Sequence, residues 1–153
     1  MNKIKESKLV EIARKRFNKH DRLKDQFTKD TDIDNFLNDL KNYPHAFVLA
    51  CLMDRLINAE RAWKIPYLVC KSFNSFTISE LATIEIKEYI KFFESQKLHR
   101  FNTKMAEIFF KAVVKIRDDY GGDASKIWMD KPSSASVVYK FLEFDGCGVK
   151  IST

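Results

Sequence analysis

The feature that most constrains this chain is the spacing of its large apolar residues. Ile33, Phe36, Leu37 and Leu40 follow the i, i+3, i+4, i+7 pattern, and Leu9, Ala13 and Phe17 recur every four positions. Ile86, Tyr89, Ile90 and Phe93 form a further set, and so do Ala106, Phe109, Phe110, Val113 and Tyr120. That period lays apolar groups along one stripe of an α-helix. No stretch alternates apolar and polar residues in the two-residue period of a strand. With only 4 glycines and 3 prolines in 153 residues, the chain also lacks the turn formers that an all-β fold consumes. An all-α protein of about seven to nine mostly short helices is predicted, with the aromatic stripes as its core.

The helices can be placed by their punctuation. A basic amphipathic helix is expected over residues 3–19, followed by the polar connection "HDRLKDQFTKD". Thr31 or Asp32 is the expected cap of the next helix. Pro44 suits the first turn of a strongly apolar helix running to about Trp63, and Pro66 is expected to open a short one. Thr77-x-x-Glu80 reads as a capping box. Asn102 is the expected cap of a longer helix that ends at "GGD", with Gly121 in the left-handed position. Ser133 or Ser134 caps a last full helix, with Val137, Val138, Phe141 and Leu142 facing inward.

Composition narrows the function classes. The length suits one domain with a real core, and no internal repeat or low-complexity linker divides it. The longest apolar run, "AFVLACLM" at residues 46–53, is too short to span a bilayer, so no membrane role is expected. The N-terminus "MNKIKESKL" has no apolar core or small-residue cleavage site, so no secretion signal is expected. Cys51, Cys70 and Cys147 are odd in number and far apart, with no zinc or iron–sulfur spacing, which fits a reduced, cytoplasmic protein. His20, His45 and His99 are likewise scattered, with no ligand at metal spacing, so no metal site is expected; a structural hydrogen bond is the expected role of His99. The net charge is +6, with ten Lys/Arg against five Asp/Glu in residues 1–30 and two against five in residues 31–60. That balance favours an anionic partner without selecting one, and a solvated helix face explains the basic N-terminus equally well.

The most informative stretch is the last, "FDGCGVKIST" at residues 144–153. It places two of the four glycines one residue apart, with a lysine two positions further on, between one helix and what reads as the start of another. Taken alone it fits a plain helix–helix turn or a helix-hairpin-helix. In the latter, the usual run is a hydrophobic residue, then Pro-Gly-x-Gly-x-Lys-x-Ala. Phe144 takes the hydrophobic slot, Asp145 replaces the proline, and Gly146 and Gly148 match both glycines. Without Cβ atoms such a turn brings backbone N–H groups against a phosphate, helped by the N-terminus of the second helix. A turn built this way through Gly146, Cys147, Gly148 and Val149 grips DNA phosphates and reads no bases.

Two further segments extend the likeness. "CLMDRLINAERA" and "LHRFNTKMA" precede the hairpin in the order and at the distance found in the endonuclease III superfamily of DNA glycosylases. Over residues 33–153 the chain resembles that family, and above all a bacterial branch with runs like "LLDQQIPMERA" and "LHRFP…MA". The resemblance implies a multi-helix glycosylase-type bundle ending in a helix-hairpin-helix: residues 1–30 a basic N-terminal helix and connection, residues 31–153 the glycosylase-like domain. It implies base-excision repair in the nucleoid, with duplex DNA carrying a damaged base or an abasic site as partner, and a monomer.

The resemblance also assigns residues. Lys150 stands where bifunctional members carry the lysine that attacks C1′, expels the base and forms a Schiff base ahead of strand cleavage; neutralising a phosphate is its simpler role. The aspartate that assists in the family is expected past Thr153, so the chain reads as truncated within the second hairpin helix, and Asp145, inside the hairpin, is not taken as its substitute. The four-cysteine iron–sulfur loop of some relatives would also lie beyond residue 153, and the family allows a monovalent cation on the hairpin carbonyls. Where many relatives place a glutamine near the extruded base, this chain has Leu56, preceded by Arg55. Leu56 is expected in the core, with a wedge into the base stack as the alternative. Arg55 either meets DNA or pairs with Asp54 or Glu60. A non-catalytic hairpin module that only grips DNA is the competing function.

Overall fold

The computed structural model describes residues 25–148, together with residues 8, 10–12 and 15. Among them there are helices and no strand: α1 (Thr31–Asn38), α2 (Pro44–Met53), α3 (Ala59–Phe73), α4 (Ile78–Leu81), α5 (Ile86–Gln96), α6 (Asn102–Tyr120), a 3-10 turn (Ala124–Ile127) and α7 (Ser134–Leu142). The all-α expectation holds. Residues 8, 10–12 and 15 are helical, within the expected N-terminal helix; the rest of that helix lies outside the described residues. No helix among the described residues is long and apolar enough to cross a membrane.

The core forms around α2 and α6. α2 is apolar on every side, and eight of its residues, from Pro44 to Met53, are buried. α3 and α6 pack along it, and α5 lies along α6. Tyr89 and Phe93 from α5 meet Phe109 from α6 with ring centroids 5.5 and 5.9 Å apart. Phe27 stacks on Trp63 at 4.3 Å, and Thr28 is buried, donating to Asp34 at 2.9 Å. Residues 27 and 28, from the expected connection, are thus packed into the helical body.

Several boundaries differ from the sequence expectation. The apolar helix stops at Met53 instead of Trp63, because Asp54 turns its carboxylate toward the Trp63 indole, which donates at 3.2 Å, and Asn58 caps a new helix through the Arg61 N–H. Pro66 does not open a helix; it sits inside α3. An interior proline costs about 3 kcal/mol, offset here by a buried stripe of Ala62, Ile65, Val69 and Cys70. Asp30 caps α1, accepting from the N–H groups of Asp32 and Ile33, so neither Thr31 nor Asp32 is the cap. Asn102 is the first residue of α6, and its side chain reaches back to accept from the His99 N–H at 2.9 Å. Leu142 is exposed at the end of α7. The capping box at Thr77 and Glu80, the Ser133 cap and left-handed Gly121 form as expected. The Gly122 N–H reaches back six residues to the Ile116 carbonyl, closing α6 in a Schellman turn.

Candidate nucleic-acid interface

Three segments carry the residues singled out from the sequence; the first two are joined at the C-terminal end of α2, and the third packs on α6. The first is the bend between α2 and α3. Leu56 holds a left-handed backbone with φ 55° and is 69% exposed, so it is not a core residue; what fixes the bend is Asp54, Asn58 and the buried groups on either side. Arg55 is exposed and pairs with neither Asp54 nor Glu60: Glu60 is held by Lys64 and Lys29, and Asp54 by Trp63.

The second segment, residues 97–101, is tied to the first by His99. A carbonyl oxygen only accepts, so the imidazole donates Nε2–H to the Met53 carbonyl at 3.2 Å, and Nδ1 accepts from the Phe101 N–H at 3.1 Å. Burial, above all, holds its pKa below the ordinary histidine value. Neutral and engaged at both nitrogens, His99 is a structural clamp and not a general base. Arg61 fastens the same bend, donating Nε–H to the Leu98 carbonyl at 3.1 Å and a second group to the Lys97 carbonyl. Outside the clamp, Phe101 is exposed with the Arg100 guanidinium 5.5 Å from its ring centroid. Among the described residues Arg55, Arg100 and Lys104 make no ion pair.

The third segment is the turn after α7. The helix ends at Leu142, Phe144 is buried beneath the turn, and the Cys147 N–H closes it on the Phe144 carbonyl at 3.1 Å. Asp145 pairs with Lys111 of α6 at 2.8 Å, and the hydrogen bond to that ammonium holds its carboxyl below the usual range. Cys147 comes near Cys51 of α2, whose thiol is pushed up to about 12, chiefly by burial. The two glycines differ. Gly146 has φ 78°, and a Cβ on it would stand 2.6 Å from Ile108 Cδ1, so packing on α6 demands glycine there. At Gly148 a Cβ would meet nothing within 4 Å, and the residue is exposed. Val149 and Lys150 lie outside the described residues.

"DRLIN" keeps the apolar period at Leu56 and Ile57, which hides a bend whose real marks are Asp54 and Asn58. No group of three or more His, Cys, Asp or Glu among the described residues could hold a metal ion. In comparison with known proteins, no family model, no curated protein and no solved structure matches this chain.

Proposed function

We propose that this protein binds duplex DNA through the turn at residues 143–148 and the bends at 54–58 and 97–101, and that it acts in base-excision repair as a helix-hairpin-helix glycosylase. The observation that carries the reading is Gly148. Among the described residues, the backbone angle and packing explain Gly146 but nothing requires glycine at 148, whereas close approach of a phosphate to the backbone would. Arg55, Arg100 and Lys104 supply cations that form no salt bridge among the described residues, and exposed Leu56 is free to enter a base stack. Lys150 follows the turn by two residues and is the proposed Schiff-base nucleophile toward C1′ of an abasic or damaged nucleotide. The second reading, grip without chemistry, rests on the same turn and differs only at Lys150.

Fluorescence anisotropy with labelled duplexes tests the grip. Binding is expected without sequence preference, with log K falling against log salt at a slope of about −3 for three phosphate contacts. Gly148→Val is expected to weaken binding about tenfold while leaving the fold intact. Salt-independent binding, or an unchanged Gly148→Val, sinks the interface. Borohydride trapping on duplex DNA with an abasic site, with Lys150→Ala alongside, separates the two readings. An adduct lost in the variant supports lyase chemistry; salt-dependent binding with no adduct leaves the grip alone.

A further inference from the structure

The turn after α7 carries two carboxylates, and both lie on lysines of α6. Asp145 Oδ2 is 2.8 Å from Lys111 Nζ, and Glu143 Oε2 is 3.9 Å from Lys115 Nζ. The two lysines are held to different degrees. Lys115 is also bound by Asp119 at 2.6 Å, and only 22% of its side chain is exposed. Lys111 is 55% exposed, and Asp145 is its one ion-pair partner among the described residues. Glu107, one turn back on α6, draws on Lys111 more weakly and forms no ion pair with it.

A carboxylate at 145 works against a turn that receives phosphate, because it stands beside Gly146 and three residues before Gly148. Its surroundings are nevertheless cationic. The hydrogen bond to Lys111 holds its carboxyl below the usual range, and Lys104 adds to that more weakly. Lys104 and Lys111 are seven residues apart, so two helical turns place them on one face of α6. Asp145 thus lies in the field of both lysines, and a phosphate oxygen is drawn to the same charges. An exposed lysine–aspartate pair contributes little to stability and is readily given up. Phosphate is the stronger competitor, because its pairing with lysine releases a condensed counterion.

We propose that Lys111 is a further phosphate-contacting residue, masked in the free protein by Asp145, and that duplex DNA displaces the carboxylate and takes its place on the ammonium. The proposal rests on the DNA-binding reading above and adds a contact that the glycine turn and the two bends do not supply. Asp145 is then a brake on affinity. Once displaced it takes up a cation, which offsets the counterion released at Lys111, so the wild-type salt slope stays near the value for three contacts.

Fluorescence anisotropy on the same labelled duplexes, with wild type, Asp145→Asn, Lys111→Gln and the double variant, forms the test. Asp32→Asn, the same change of charge in the first turn of α1, measures the effect of net charge alone. Asp145→Asn is expected to bind about fivefold to tenfold tighter than wild type and to steepen the salt slope by about one unit. The gain from Asp145→Asn is expected to be at least about threefold larger with Lys111 present than with Lys111→Gln, which marks the pair as coupled. A gain no larger than that of Asp32→Asn, or one equal with and without Lys111, overturns the exchange and leaves DNA binding in place. Absence of salt-dependent binding in all four proteins overturns both.

Discussion

Each end of α2 meets a buried histidine, and the two are used in opposite ways. At the C-terminal end His99 gives one ring nitrogen to the Met53 carbonyl and the other to the Phe101 N–H. At the N-terminal end His45 lines an open cleft, with Nε2 buried away from solvent and outside good hydrogen-bonding geometry, and only the Phe76 backbone favours its charged form. Both are buried and both are held below the ordinary histidine pKa, mainly by burial. Burial alone therefore says nothing of role; the completeness of hydrogen bonding does. A fully engaged polar group holds the fold together, and a partly engaged one contributes less to it. The glycines of the terminal turn repeat the contrast. Gly146 is required by its φ of 78° together with its packing on Ile108, and Gly148 by nothing within the described residues.

The largest expected effect is on that second pair. Gly146→Val combines a forbidden backbone angle with a 2.6 Å clash against Ile108 Cδ1 and is expected to destabilise the protein by about 3–4 kcal/mol. Gly148→Val, in open space, is expected to change stability by less than about 0.5 kcal/mol. Urea denaturation of the two variants measures both. Equal losses would show that Gly148 is also a packing residue, and the argument for an external phosphate would fall with it.

The histidines come next. His99→Ala leaves the Met53 carbonyl and the Phe101 N–H without partners and opens a void, so a loss of about 2–3 kcal/mol is expected. His45→Phe gives up only the ring's interaction with the Phe76 backbone, which lies outside good hydrogen-bonding geometry, and is expected to stay within about 1 kcal/mol of wild type at pH 7.5. A reversal of that order in chemical denaturation would break the comparison.

Acid sharpens the distinction. A histidine whose pKa is lowered by folding leaves the unfolded chain binding more protons below about pH 6.5, so stability falls as pH falls from there toward the folded value. For His45 the folded value is about 4, and its share of the loss between pH 7.5 and pH 5 comes to about 2 kcal/mol. His45→Phe is expected to lose about 2 kcal/mol less than wild type over that interval, by urea midpoints at the two pH values. His99 contributes in the same direction and remains in the variant. Parallel pH profiles for wild type and variant would mean that His45 is not held neutral by the fold.

How much of this was legible in the sequence depends on the range of the interaction. Features fixed within four or five residues could be read: the helical period, the capping box at Thr77 and Glu80, left-handed Gly121, and the turn beginning after α7. Features decided by distant partners could not. The break after Met53 depends on the Trp63 indole reaching Asp54, nine residues on. Pro66 stays inside α3 because the buried stripe around it outweighs its local preference. The cleft brings together residues 42, 45, 123 and 128, which no spacing rule connects. That the terminal turn favours glycine could be read, but which of its two glycines takes positive φ, and the contact of Gly146 with Ile108, belong to the fold.

The smallest expected effect concerns Leu56, where stability and binding should move apart. A leucine at φ 55° pays for a backbone that glycine adopts freely, and with 69% of its surface exposed it recovers little by burial. Leu56→Gly relieves that strain but loosens the unfolded chain, so a net change between zero and a gain of about 1 kcal/mol is expected. If the side chain enters a base stack, the same variant weakens binding to duplex DNA by about threefold to tenfold and leaves the salt slope unchanged, because no phosphate contact is lost. Arg55→Ala is the complementary measurement: its slope should flatten by about one unit. Should Leu56→Gly bind DNA as tightly as wild type, the exposed leucine would have no part in the interface, and the bend at 54–58 would contribute charge alone.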